Sequence, residues 1–296
     1  MSADLLSTWS LRMAIFMVMF AMGLGLTWKE LTLLVVKPGN LLIGLLVQML
    51  MLPLLAFFLV VFLPIEPAYK VGIVLLAICP GGSTSNLVNL WMGGNLALCV
   101  GLTSINSFLT QFTIPIFLQA TLWIFMSANA QIVLPFAEIM LEIFLLTLVP
   151  VASGILVKPV LAELAGRLQR GIKFIAPVLM GLSILSLAAL RQNSDGLLSA
   201  AVLVWLLPFM VALNGLAVLL GFSISRWLGV RARGAMTISV EVGLHNTAMA
   251  ILLAESHLDS HAAVMAPAMV YASSSFFVTL GMAWWLKRRW SSDAVW

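Results

Sequence analysis

Residues 40–63 form an apolar stretch that contains no charged side chain. As an α-helix this stretch is about 36 Å long, which exceeds the ~30 Å hydrocarbon layer of a bilayer. Comparable stretches recur along the chain, separated by Gly, Pro and charged clusters, and this pattern favours helices over an outer-membrane barrel. With 62% hydrophobic and 9% charged residues, the chain has too little polar surface for a water-soluble domain. The sequence therefore predicts an all-α, polytopic protein embedded in the lipid bilayer.

Nine transmembrane helices are predicted at about 20 residues per span. They lie at residues 8–27, 40–63, 70–93, 95–125, 133–157, 171–190, 197–225, 233–255 and 261–287. Lys and Arg are enriched in cytoplasmic loops, and twelve of them fall on one side against Arg12, Lys70 and Arg191 on the other. We expect an outer N-terminus and a cytoplasmic C-terminus in the cell (inner or plasma) membrane. The net charge of +4 is thus an orientation signal and does not indicate nucleic-acid binding.

An internal repeat relates the two halves of the chain. A shift of roughly 160 residues places the four helices of residues 1–127 on four of the five helices of residues 128–296. The span at 133–157 has no partner, so the first repeat is interpreted as truncated. Because an odd number of spans separates matching helices, the halves have opposite orientations. Such an inverted-topology repeat is typical of secondary transporters.

Two predicted spans are interrupted at equivalent places. In "CPGGSTSN" at 79–86, Pro80 and two glycines stop a helix, and the hydroxyls that follow can cap the next one. In "EVGLHN" at 241–246, we expect Glu241 to end a half-helix and Gly243 to let the backbone unwind. The carbonyls of Val242 and Leu244 would then be free to face a cation. Half-helix ends at mid-membrane are typical of ion and anion sites in transporters.

Glu241 has two interpretations. It is either a hydrogen-bonded carboxyl that joins two helices or a cation ligand, since buried ionisable groups in membrane helices usually mark a functional pathway. Na⁺ prefers oxygen ligands, and Gln48, Ser85, Asn86 and Thr103 can supply them. We favour the cation ligand.

Other polar or reactive residues carry weaker signals. Glu138 and Glu142 are one helical turn apart near the outer end of the fifth span, where we expect them to be solvated. Cys79 and Cys99 lie in apolar surroundings and are expected to be buried thiols. No cofactor is expected, and Na⁺ is the only metal ion that the sequence suggests.

The stretches "CPGGSTSNLVNLWMGGNLAL", "TISVEVGLHNTAMA" and "QMLMLP" at 48–53 resemble the bile acid:sodium symporter family, and the similarity covers almost the whole chain. The chain resembles the nine-helix form, which lacks the first helix of ten-helix members. The resemblance implies a core domain from about 40–127 and 197–287, and a panel domain from about 8–27 and 133–190. It also implies that the two broken helices cross in the core.

The resemblance further implies two Na⁺ sites and a substrate cavity. The first site would use Ser85, Asn86, Cys99, Thr103 and Glu241, and the second Gln48, Glu241, Val242, Leu244 and His245. Ser83, Asn246 and Ser275 match positions that face the substrate.

Two residues of these sites depart from the family pattern. Cys99 stands where Ser is frequent, and a thiol is a poorer ligand for a hard cation. His245 stands where Gln is usual. Its protonated form would repel Na⁺, which predicts uptake that depends on pH. Alternatively, a neutral His245 simply hydrogen-bonds across the crossing point.

These features predict sodium-coupled symport of an organic anion, either bile-acid-like or a small carboxylate, by alternating access. The alternative is a proton-coupled or uncoupled organic-anion carrier. A membrane-embedded enzyme that uses Glu241 and His245 as acid and base is disfavoured, because no nucleophile motif or metal-spaced cluster accompanies them.

Overall fold

The computed structural model describes residues 3–25, 38–82, 84–126, 134–195, 200–258 and 262–290. These residues form helices in the following order: α1 (Ala3–Gly25), α2 (Gly39–Val61), α3 (Pro67–Ile78), α4 (Thr84–Met92), α5 (Leu96–Phe125), α6 (Phe136–Val160), α7 (Ala162–Asp195), α8 (Ala200–Trp227), α9 (Ala232–Gly243), α10 (Thr247–His257) and α11 (Ala262–Trp290). Ser83 lies outside the described residues.

Most helix ends agree with the predicted spans to within a few residues, and α7 is the main exception. It begins at Ala162, whereas the sequence predicted a start at 171. The additional residues, AELAGRLQR, are mostly strong helix formers but too polar to register as a membrane span. The helix therefore continues beyond its apolar part.

Six helices of the described chain are long and apolar enough to cross a membrane. They are α1, α2, α5 and α6 together with most of α8 and α11. Shorter apolar helices are α3 and the stretch Val178–Leu187 of α7. Among the described residues the architecture is thus all-α and rich in membrane spans.

Helices α2 and α6 each contain one π-helical segment, at Val47–Met51 and Phe144–Leu148. A proline follows each segment closely, Pro53 in α2 and Pro150 in α6. Proline lacks an N–H group and crowds the carbonyl one turn earlier, so the helix widens at that point. Such π-bulges occur frequently at functional sites, and the one in α2 contains Gln48.

The helices pack as two groups. Helix α1 packs against α6 and α7, and a Cβ atom on Gly154 would lie 2.7 Å from the Leu24 amide nitrogen, so α1 and α6 approach closely. In the second group, α8 packs against α9 and α11, and α11 also packs against α3 and α10. Helix α10 contacts α1 and so links the groups.

The two interrupted helices meet at their breaks. The first break separates α3 from α4, and the second separates α9 from α10. The amide of Gly82 donates to the Leu244 carbonyl at 2.8 Å, and the amide of Asn246 donates to the Pro80 carbonyl at 2.8 Å. Unwound backbone at membrane depth needs such partners, because lipid offers none. Each break therefore supplies hydrogen-bond partners to the unwound backbone of the other.

Two details of the second break differ from the sequence prediction. Helix α9 does not end at Glu241 but continues to Gly243, so Glu241 lies within its last turn. The Leu244 carbonyl is not free, because the amide of Gly82 occupies one of its acceptor directions. Local sequence could not show this bond, since its two partners belong to different halves of the chain.

Candidate functional site

The Glu241 side chain is fully buried beside the crossing point. The Thr103 hydroxyl donates to Glu241 Oε1, and the Cys99 thiol donates to Glu241 Oε2 at 3.1 Å. Both donors lie on α5. Glu241 thus connects the last turn of α9 to α5 through both of its oxygens.

Residues of α4 extend this cluster. Ser85 Oγ lies 3.5 Å from Cys99 Sγ and donates to the Gly82 carbonyl at 2.8 Å. The Asn86 Oδ1 atom is buried and has no hydrogen-bond partner among the described residues. The structure therefore joins Ser85, Cys99, Thr103 and Glu241, four residues of the predicted first Na⁺ site, into one bonded set.

Asn89 belongs to the same cluster and was missed by the sequence analysis. Its Nδ2 atom donates to Cys99 Sγ at 3.1 Å and to the Ser85 carbonyl at 3.1 Å. Asn89 is fully buried on α4, one turn after Ser85. That spacing places both side chains on one helical face and was the signal that could have identified it.

Two residues of the predicted second site, Gln48 and Glu241, come together over Gly81. Gln48 is buried, and both of its amide atoms lack hydrogen-bond partners among the described residues. A Cβ atom on Gly81 would lie 2.8 Å from Glu241 Cδ and 3.3 Å from Gln48 Nε2, so carboxylate and amide converge over this glycine. A buried amide without hydrogen-bond partners lowers the stability of the folded protein. A cation or polar group bound here would supply a partner for the Gln48 amide.

His245 and the neighbouring backbone complete this region. His245 is 6% exposed, and its Nδ1 atom has no hydrogen-bond partner among the described residues. Its ring centroid lies 5.6 Å from that of Tyr271. Val242 and Leu244 are buried on either side of the end of α9.

A second set of side chains holds the last carbonyl of α9 and was also missed. The Gly243 carbonyl accepts from Asn214 Nδ2 at 2.5 Å, from the Tyr271 hydroxyl at 2.7 Å and from Thr279 Oγ1 at 3.3 Å. Helix ends leave unpaired carbonyls that need partners inside a membrane. Asn214, an isolated amide in the otherwise apolar α8, was the sequence feature that could have identified this set.

A small cavity lies against the crossing point. It is lined by Ile15, Val18, Met19, Gly82, Thr84, Met180, His245, Asn246, Thr247 and Ala248. It thus lies between α1 and α7 on one side and the two breaks on the other.

The structure separates two of the predicted substrate residues, Asn246 and Ser275. Asn246 lines the cavity and caps α10, because its Oδ1 atom accepts from the Met249 amide at 3.0 Å. Ser275 is buried on α11 and does not line this cavity. Ser83 remains outside the described residues.

A separate polar cluster involves Glu142, for which solvation was expected. Glu142 Oε1 accepts from Arg12 Nε at 2.8 Å, and Glu142 Oε2 lies 2.6 Å from His257 Nε2. The Glu142 side chain is only 11% exposed, so the expectation was wrong. Its neighbour Glu138 is exposed, as predicted. The ion pair explains how Glu142 tolerates burial.

Comparison with known proteins supplies a family. The model of the sodium bile acid symporter family matches residues 12–200. An uncharacterised sodium-dependent transporter of Bacillus subtilis is 29% identical over 249 residues, which are 83% of this chain and 74% of that protein.

Two further relatives are named as cotransporters. A "probable sodium/metabolite cotransporter, chloroplastic" of Arabidopsis thaliana is 30% identical over 244 residues, 81% of this chain and 57% of that protein. The ileal sodium/bile acid cotransporter of Mus musculus is 26% identical over 233 residues, 78% of this chain and 64% of that protein. The chain thus spans less than two thirds of the length of these two relatives.

Proposed function

Because this chain belongs to the sodium bile acid symporter family, we propose that it is a secondary active transporter that carries an organic anion together with Na⁺. The family and the relatives named above are transporters, not enzymes. The observation that carries the proposal is the fully buried carboxylate of Glu241, held where two broken helices cross. A carboxylate at that depth is stabilised by a cation.

The donor set around Glu241 suits an alkali cation. Thr103 and Ser85 contribute hydroxyl oxygens and Asn86 an amide oxygen to the first proposed Na⁺ site, with Cys99 as its weakest ligand. Gln48 and the backbone carbonyls of Val242 and Leu244 contribute to the second, beside His245. When Na⁺ binds, it takes the place of hydroxyl protons as the partner of the carboxylate.

The transport cycle follows from the two groups of helices. We assign α1, α6 and α7 to the panel domain and the remaining helices to the core domain, within a nine-span inverted repeat that has its N-terminus outside. Na⁺ binding fixes the crossing, the anion binds in the adjacent cavity at the N-terminus of α10, and the core then moves against the panel. Ser83, Asn246 and Ser275 remain the proposed substrate residues.

Transport by the purified protein in proteoliposomes tests this function. A sterol carboxylate and a set of short-chain carboxylates are offered with an inward Na⁺ gradient, and with an equal K⁺ gradient as control. We expect one class to accumulate only when Na⁺ drives it. Uptake that is equal in both gradients would rule out sodium coupling.

A second candidate, proton coupling, is favoured by one observation. The Cys99 thiol replaces a hydroxyl at the carboxylate, at 3.1 Å from Glu241 Oε2, and this weakens the first site for Na⁺. A proton on Glu241 would then serve as the coupling ion. Accumulation driven by an inward proton gradient in Na⁺-free buffer, and abolished by a protonophore, would establish this alternative.

A further inference from the structure

The cluster around Glu142 joins residues from three helices. Arg12 lies on α1, Glu142 on α6, and Ser256 and His257 at the end of α10. Arg12 Nη2 lies 2.8 Å from Glu142 Oε1 and also donates to Ser256 Oγ at 3.1 Å. Together with the His257–Glu142 contact of 2.6 Å, these bonds connect α10 to both α1 and α6.

These contacts cross from one group of helices to the other. Helices α1 and α6 pack against each other, whereas α10 packs mainly against α11 and less extensively against α1 and α3. The Arg12–Glu142 pair is therefore internal to the first group. The bonds of His257 and Ser256 bridge the two groups, and they must break if the groups move apart at this end.

The cluster lies at one end of the cavity. On α1, Ile15 and Val18 line the cavity and follow Arg12 by one and two turns. On α10, Ala248 lines the cavity, and His257 lies about 13 Å further along that helix. Both helices thus run from the cavity to the cluster, so the cluster closes the space between them.

The arrangement of the charged side chains allows the contacts between the two groups to break. The side chains of His257 and Glu142 are 9% and 11% exposed, and that of Arg12 is 29% exposed. If α10 moves away, Glu142 keeps Arg12 as its partner, and no buried charge is left unpaired. Within the described cluster, the His257 and Ser256 contacts are lost, and water that enters the opening replaces them.

We propose that Arg12, Glu142 and His257 form an ionic gate that closes the outer side of the substrate cavity. The gate rests on the proposed function in one respect, because alternating access gives it a role in the transport cycle. Arg12 and Glu142 form the fixed half of the gate, and His257 is carried by the moving half. The three are positioning residues: they act on access to the cavity and do not bind the substrate.

Accessibility of the cavity tests the gate without substrate or Na⁺. Val18→Cys places a thiol in the cavity lining, and a membrane-impermeant, charged methanethiosulfonate reagent is applied to right-side-out vesicles. Because both native cysteines are buried, the protein without Val18→Cys supplies the background rate. We expect Glu142→Gln to accelerate modification of the introduced thiol roughly tenfold, the effect of losing a charge-assisted hydrogen bond on a two-state equilibrium.

Two further variants make the result specific. Glu138→Gln makes the same chemical change one turn earlier on α6, at an exposed position, and should leave the rate unchanged. His257→Leu removes the His257–Glu142 contact between the groups, because Leu has no donor, and keeps the Arg12–Glu142 pair. It should also accelerate modification. If Glu142→Gln disturbs folding, as judged by size-exclusion elution, His257→Leu decides the outcome.

An unchanged rate in a folded Glu142→Gln or His257→Leu protein would overturn the gate. Acceleration seen only in inside-out vesicles would overturn its placement on the outer side. The assay contains no Na⁺ and no anion, so its failure leaves the proposed symport intact. Conversely, absence of sodium-driven uptake together with the expected acceleration would reject the symport and retain the gate.

Discussion

Cys99 donates its thiol proton to Oε2 of Glu241 at 3.1 Å, and both residues are fully buried. The thiol thus lies beside Glu241, in a position where it would contact any cation bound to that carboxylate. A sulfur atom at this distance is larger and softer than a hydroxyl oxygen, so it weakens any site for a hard cation. The Cys99–Glu241 pair is therefore where the choice between Na⁺ and a proton is tested.

Cys99→Ser supplies a hard oxygen in place of the sulfur. We expect Na⁺ to raise the melting temperature of the Ser variant at several-fold lower concentration than that of the parent, because binding to the folded state stabilises it. Cys99→Ala removes the ligand and should shift the Na⁺ response the other way. A response that is equal in all three proteins would exclude Cys99 from the ion site.

Glu241→Gln keeps the shape of the side chain and removes its charge. We expect the affinity for Na⁺ to fall roughly tenfold or more, since hydrogen bonds and contacts to a charged group are worth more than neutral ones. Thermal melts in Na⁺ and in K⁺ measure the change. Glu138→Gln is the matched control and should retain the full Na⁺ response, because Glu138 is exposed.

Gly81→Ala places a methyl group against the carboxylate. The added Cβ atom would lie 2.8 Å from Glu241 Cδ, so the crossing must shift. We expect a cost in unfolding free energy of about 1–3 kcal/mol and loss of the Na⁺ response. Gly281→Ala, which has no neighbouring atom within 4 Å of its new Cβ, should be neutral or slightly stabilising in the same melts.

His245→Gln tests competition between protons and Na⁺. In the parent, protonation of the imidazole as the pH falls would add a positive charge beside the ion and weaken its binding, so the Na⁺ response should decrease towards acidic pH. A Gln side chain cannot acquire this charge and should flatten the profile. Identical profiles in parent and variant would favour a neutral His245 that only joins helices.

The breaks were predictable because their causes are local. Pro80 and the two glycines after it stop a helix whatever surrounds them, and Gly243 marks the end of α9 for a similar reason. Asn246 was a predictable cap because capping joins a side chain to an amide three residues later. The role expected of Glu241 rested on its position within the second break.

Other parts of the site depend on contacts that no local pattern records. Arg12 meets Glu142 across 130 positions, and Glu142 meets His257 across 115. From its own neighbourhood, Glu142 could only be interpreted as an acid near a helix N-terminus. The capture of the Gly243 carbonyl by Asn214 and Tyr271 likewise joins three helices. Such contacts follow from tertiary packing, and a single sequence does not contain the register between helices.

The paired bonds between the two breaks also constrain how the protein is made. The ribosome delivers Pro80 and Gly82 to the translocon long before Leu244 and Asn246 exist, yet these late residues supply the partners of the early ones. Until then, lipid offers nothing to the exposed amide and carbonyl. The crossing is therefore completed only when the second half of the chain arrives.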